Sequence, residues 1–177
     1  LDDSVFIRSM ASRGLLGGLS PAALDSTVLL DAAGYEIIFV ETVGIGQSEV
    51  DVINVADTSV LVMTPEFGDE IQIMKSGVIE AADIFAINKT NRGNADYLET
   101  TLLEQIAHSS RMPIPTVIKA DAMTPQNIIE LKKTLDERYD LLVNKGYLEQ
   151  RRKNRIKKHL LETVNTKIMQ KLSEKKL

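Results

Sequence analysis

The sequence predicts an α/β fold: a parallel sheet with helices on both faces. Three observations carry that expectation. Short apolar, β-branched runs alternate with segments of helical periodicity along the 177 residues. Those runs are apolar at successive positions rather than at every second one, which suits strands buried on both sides. The polar and glycine-bearing motifs fall just after the runs, at the strand ends where open α/β sheets bind their ligands.

Taken in order, Ser20-Pro21 reads as an N-cap with proline at the first helical position, opening a helix to about Ala33 that Gly34 ends. Tyr35 to Val40 is expected as a buried strand. Ser59 to Thr64 is expected as another, stopped by Pro65 because the residue before a proline is driven toward extended backbone. Asp69 to Ala82 reads as a helix with Ile71, Met74, Val78 and Ile79 on one face. A third strand is expected at Ile84 to Ile87, a helix at Asn94 to Ser109, and a fourth strand at Pro115 to Ile118. Thr124-Pro125 caps a helix running to about Val143, Asn144-Lys-Gly146 breaks it, and a final helix starts at Tyr147.

Composition excludes several function classes. There is no cysteine, hence no disulfide, thiolate metal site or cysteine nucleophile. The only histidines, His108 and His159, fall in expected helices away from the strand ends, so nothing suggests zinc. No apolar run approaches the roughly 20 residues that cross a bilayer, and the acidic N-terminus is not a signal peptide. A cytoplasmic or organelle-matrix protein is expected, with no membrane partner. The chain begins at Leu1 rather than Met and is expected to be a fragment or a processed chain. The net charge of −4 conceals an asymmetry, since from Arg151 onward ten Lys/Arg face two acids. That basic tail also carries an apolar stripe, Ile156, Leu160, Val164, Ile168 and Leu172, which points to helix packing or dimerisation. No aromatic residue interleaves the basic ones, so no nucleic-acid partner is expected.

Two motifs carry chemistry. In Tyr35-Glu-Ile-Ile-Phe-Val-Glu41-Thr-Val-Gly44-Ile-Gly-Gln47-Ser-Glu49, an apolar run delivers a carboxylate and a glycine follows three residues later. Nucleoside triphosphatases sense a γ-phosphate with such a pattern: the acid serves the Mg²⁺ shell, and the glycine N–H approaches the phosphate. Ala86-Ile-Asn88-Lys89-Thr90-Asn91 looks like a strand-end motif that reads a guanine base. Against these stands an absence from the 177 residues: no Gly-x-x-x-x-Gly-Lys-Ser/Thr phosphate loop occurs.

With Val5-Phe-Ile-Arg8-Ser-Met-Ala-Ser-Arg13-Gly14-Leu-Leu-Gly17-Gly18, the Glu41 to Glu49 stretch resembles the MeaB/ArgK family of G-proteins, chaperones of adenosylcobalamin-dependent acyl-CoA mutases such as methylmalonyl-CoA mutase. Gly68-Asp69-Glu70-Ile-Gln72 with Lys75 resembles that family's third switch loop, and Tyr147 to Arg152 the start of its C-terminal dimerisation arm. The resemblance implies an incomplete P-loop-type sheet, with a partial G domain over 1–143 and a helical dimerisation arm over 144–177. It implies GTP/GDP and Mg²⁺ as ligands, with Glu41 reaching Mg²⁺ through water and Gly44 sensing the γ-phosphate. Gln47, Glu66, Asp69, Glu70, Gln72 and Lys75 would be switch or partner residues. Asn88, Lys89, Asn91, Asp121 and Ala122 would bind the base. The partner would be an acyl-CoA mutase and a second copy of the chain. Arg8, Arg13 and the Gly14 to Gly18 loop would follow the first switch, or form a plain surface loop.

Three departures qualify the resemblance. Asn91 stands where the family has an aspartate whose carboxylate accepts from guanine; its amide would point a donor at a donor, so weak guanine affinity is expected and xanthine would suit it better. Asp121 stands at a family serine, where it either supplies the missing acceptor or, as the preferred expectation, is an exposed loop acid. The family's phosphate loop lies upstream of Leu1, so this chain by itself is not expected to hydrolyse GTP. The alternative is a non-catalytic, dimerising interaction module that binds an acyl-CoA mutase without nucleotide turnover.

Overall fold

The computed structural model describes residues 5–10, 21–42, 55–65, 82–109 and 112–174. The chain divides into two compact units, Leu1–Ala56 and Asp57–Leu177.

In the first unit, helix α1 spans Pro21–Ala32. Its end is closed by two bonds over one turn: the Gly34 N–H donates to the Asp31 carbonyl and the Tyr35 N–H to the Leu30 carbonyl. This pairing satisfies carbonyls that the helix leaves without partners. The Phe6 ring lies 6.4 Å from that of Tyr35. The expected strand at Tyr35 to Val40 does not form. The run is irregular, with Ile37 69% and Phe39 85% exposed. A strand exists only through a ladder with a neighbour, and no ladder among the described residues includes this run.

The second unit holds the sheet. Strands β1 (Val60–Met63), β2 (Ile84–Ile87) and β3 (Thr116–Lys119) form a parallel sheet in the order β1-β2-β3. Val60 pairs with Ile84 and Ile84 with Thr116 at one end, Met63 with Ile87 and Ile87 with Lys119 at the other. Between β2 and β3 runs α2 (Ala95–Ala107), after β3 comes α3 (Pro125–Asn144), and then α4 (Tyr147–Glu174). Each follows from local chemistry. The Asn94 side chain accepts the Tyr97 N–H at 3.0 Å and caps α2. Pro125 starts α3 without losing a needed donor. Gly146, at φ +72°, separates α3 from α4.

The core lies on β2, where every residue is buried. Ile84 and Ala86 join Ile118 and Ala120 on one face, and Leu131 and Leu135 of α3 pack over them. Phe85 and Ile87 fill the other face, while α2 buries Leu98, Leu102 and Ile106 at helical spacing and lies against β3. Each fully buried side chain of this size contributes about 1.5–3 kcal/mol. Among the described residues, coverage of both faces, as expected, holds for β2 but not for β1. Val62, on the face that α3 covers at β2 and β3, is 58% exposed. The α3 cluster contains no β1 residue, so the helix ends its reach one strand short. The expected helix over Asp69 to Ala82 lies outside the described residues, save its last residue, Ala82, which is buried.

A candidate base-binding site at the strand ends

Three chain segments meet where the strands end. Pro65 follows β1, Asn88 to Gly93 follow β2, and Ala120 to Met123 follow β3. The ladder extends into them: the Asn88 N–H donates to the Met63 carbonyl and the Ala120 N–H to the Ile87 carbonyl, both at 2.8 Å. These bonds place the polar turns directly over the sheet.

Asn88 organises the turn. Its Oδ1 accepts the Lys89 N–H at 2.8 Å and the Ala122 N–H at 3.1 Å, joining the β2 turn to the β3 turn. A second link runs beside it, the Thr90 hydroxyl donating to Asp121 Oδ2 at 3.3 Å. Lys89 sits at φ +53°, in the left-handed region. That conformation costs a non-glycine residue about 1–3 kcal/mol and concentrates at functional sites. Gly93 is required for a steric reason as well as its φ of +72°: a Cβ there would meet the Pro65 carbonyl oxygen at 2.6 Å. The turn is thus braced against the end of β1.

The residues expected to bind the base behave differently from one another. Asn88, Asp121 and Ala122 are brought together. Lys89 and Asn91 are exposed on the turn. Asp121 corrects its expectation, because it is buried at 8% exposure rather than an exposed loop acid. Its Oδ1 accepts the Met123 N–H at 3.0 Å while Oδ2 takes the Thr90 hydroxyl. The carboxylate therefore turns inward, because a buried acid must find donors and both lie in the two turns. Just outside, Lys119 pairs with Asp96 and Glu99, each at 2.7 Å. Its hydrogen bonds to Asp96 and then Glu99 raise the Lys119 ammonium above its ordinary value, and the Lys119 hydrogen bond lowers Asp96.

Glu41 belongs to the first unit and is exposed there. Gly44, Gln47, Glu66, Asp69, Glu70, Gln72, Lys75, Arg13 and the Gly14 to Gly18 loop lie outside the described residues. Among the described residues no three His, Asp or Glu side chains gather as a metal site.

The opposite ends of the strands hold an ionic cluster that the sequence reading missed. Asp83, just before β2, is buried and accepts from the Ser59 backbone N–H at 3.0 Å, the Ser59 hydroxyl at 3.1 Å, Arg138 of α3 at 2.7 Å and Arg151 of α4 at 2.9 and 3.0 Å. Arg138 also donates to the Ile114 and Pro113 carbonyls. Asp57 is paired with Arg152 and with Arg155, the latter at 2.7 Å. Burial pushes the Asp57 carboxyl up, but hydrogen bonds from Arg152 and Arg155 outweigh it and leave the group below its ordinary value. An acid interrupting the approach to a fully apolar strand was the available signal.

The comparisons with known proteins decide the family. The profile of the family described as "Methylmalonyl Co-A mutase-associated GTPase MeaB" matches residues 1–177. This chain belongs to the MeaB family. A GTPase candidate of Pyrococcus horikoshii is 44% identical over 164 residues, covering 90% of this chain and 52% of that protein. Two relatives called "Methylmalonic aciduria type A homolog, mitochondrial" are 31% identical, over 170 residues in Caenorhabditis elegans and 177 in mouse. They are covered to 43% and 42% of their lengths, against 93% and 96% of this chain. The chain spans about half the length of the curated relatives it matches. Among its described residues no helix is long and apolar enough to cross a membrane.

Proposed function

We propose that this chain is part of a GTP-binding and GTP-hydrolysing chaperone that gates cofactor loading and protection of an adenosylcobalamin-dependent mutase of the methylmalonyl-CoA mutase kind. Its own share of the work is purine recognition and partner contact. The observation that carries the reading is the Asn88 side chain, which ties the β2 turn to the Ala122 N–H over the strand ends. A preorganised polar edge at that end of a parallel sheet is where a nucleotide base is bound. The family description supports the mutase as partner. Glu41 and Gly44 would serve the Mg²⁺ and γ-phosphate, and Gln47, Glu66, Asp69, Glu70, Gln72 and Lys75 the switch that contacts the mutase. Bound Mg²⁺ would supply neutralisation of phosphate charge. The α4 residues Ile156, Leu160, Val164, Ile168 and Leu172, all at least half exposed, offer an apolar stripe for a second copy of the chain.

The deciding experiment is sedimentation of the chain with methylmalonyl-CoA mutase, with and without purine nucleoside triphosphate. A nucleotide-dependent complex is expected, and its dependence should vanish in Asn88→Ala. A complex indifferent to nucleotide and to Asn88 would favour the second reading, a dimerising interaction module without turnover. That reading draws on one observation, the lack of a Gly-x-x-x-x-Gly-Lys-Ser/Thr run in these 177 residues. The same observation predicts no GTP hydrolysis by the chain alone.

A further inference from the structure

We infer that the root of α4 is fastened in two tiers: Arg151 on Asp83 is a lasting pivot, while Asp57 with Arg152 and Arg155 is a clasp that a competing anion opens, letting α4 turn about Gly146. The inference does not depend on the purine reading.

The two tiers differ in their access to water. The Asp83 side chain is 2% exposed, and besides Arg151 it holds Arg138 and Ser59. Breaking one pair in so buried a group leaves charges without partners, so this tier stays shut. Asp57 is 27% exposed and its partner Arg152 50%. Ion pairs this open to solvent are weakened by salt, and a free anion can replace the carboxylate. The clasp is also imperfectly matched. Arg155 gives Nη2 to Asp57 Oδ1 at 2.7 Å, but its Nε is buried and finds no acceptor among the described residues. Opening relieves that cost, because water then reaches the nitrogen. Arg138 Nε is unmatched as well, yet that guanidinium is held by Asp83 and by the Ile114 and Pro113 carbonyls.

The geometry lets one tier open while the other holds. Arg151 lies about 7 Å along the helix from Gly146, and Arg155 about 13 Å. Turning α4 by about 10° at Gly146 therefore shifts the backbone by about 1 Å at Arg151 and about 2 Å at Arg155. A long arginine side chain absorbs the smaller shift and keeps its bonds to both Asp83 oxygens. The larger one carries Arg155 out of hydrogen-bond range of Asp57. The joint itself has room: among the described residues nothing lies within 4 Å of where a Cβ on Gly146 would stand. From Ile156 onward no described residue of α4 is buried, so the turn takes no side chain out of the core. What the clasp governs is the direction in which the stripe from Ile156 to Leu172 is presented.

The test is a distance measured within the full 177-residue chain. It has no cysteine, so Gln105→Cys on α2 and Lys171→Cys on α4, both exposed, carry the spin labels alone. Dilution with unlabelled chain confines the measured distance to one molecule. A single narrow distance is expected in about 0.01 M sodium chloride. In about 1 M, where the screening length has fallen from about 30 Å to about 3 Å, a broadened distribution is expected. Its shift should be roughly 6 Å, the movement of Lys171 for a turn of about 10°. Asp57→Asn should show the broadened state already at low salt and lose the salt response. Arg152→Gln should move the distribution part of the way, and should add nothing in the Asp57→Asn background, because both act on one clasp. A narrow distance unchanged in both variants would overturn the inference. A salt response that survives in Asp57→Asn would do so too, since screening would then act elsewhere.

Discussion

The two ends of the sheet differ in what meets their buried carboxylates: arginines reach Asp83, a hydroxyl and a backbone N–H reach Asp121. At the end where the strands begin, the buried Asp83 carboxylate accepts from Ser59, Arg138 and Arg151. At the end where they finish, the Asn88 amide and the Thr90 hydroxyl with the buried Asp121 carboxylate make the links, Lys89 holds a strained φ, and Asn91 is left to solvent. A buried ionic cluster contributes little net stability, yet punishes loss of one member heavily. It fixes geometry. The far end is braced by hydrogen bonds between turns and leaves Lys89 and Asn91 exposed.

The contrast is broken most directly by Asp83→Ala, which would strand Arg138 without its buried partner. A loss of about 3–5 kcal/mol is expected from denaturant unfolding; a loss below 1 kcal/mol would mean that the two ends do not differ as described. Next comes Gly93→Ala. The positive φ alone costs about 1–3 kcal/mol, and the clash with Pro65 forces the turn to shift. Purine binding should weaken along with stability. Asn88→Ala removes the acceptor for two backbone N–H groups, so about 1–2 kcal/mol should be lost. Its sharper readout is amide exchange, which should quicken at Ala122 and stay unchanged at Leu142.

Acid sharpens the comparison further. Asp57 is held below its ordinary value in the folded chain, so the unfolded state takes up its proton first as pH falls. The stability this group contributes is complete above the ordinary carboxylate range and is lost as pH falls through about 4 and below. Asp57→Asn should therefore flatten the acid limb of the stability profile; an unchanged limb would remove Asp57 from the account. The smallest effect is expected at Asp96→Asn. Its pair with Lys119 is solvent-exposed, and no measurable shift of the unfolding midpoint is foreseen.

What the sequence disclosed was local. Ile84 to Ile87 is a strand with the expected bounds, the helix expected over Asn94 to Ser109 forms at Ala95–Ala107, and Pro125 and Tyr147 open theirs, because each depends on near neighbours. The failures depend on distant partners. Tyr35 to Val40 has every propensity of a strand, but propensity does not supply a ladder. Arg138 and Arg151 reach Asp83 from 55 and 68 positions away, a separation no periodicity reveals. Asp121 was read as exposed because a loop acid usually is; Thr90, 31 residues earlier, explains why this one is not. Of the candidate site, the residue types at the strand ends were legible, whereas the direction in which each carboxylate and amide turns was not.

Helix α4 has a mechanical consequence. Its 28 residues span about 42 Å, yet its ionic attachments to Asp57 and Asp83 all fall between Arg151 and Arg155. The helix carries these ionic attachments near one end and an apolar stripe along the length beyond them. From Arg155 to the tip is about 28 Å, so a tilt of about 5° at these attachments swings the tip by roughly 2–3 Å. A displacement too small to notice at the root becomes, at the far end, the difference between one side-chain register and the next.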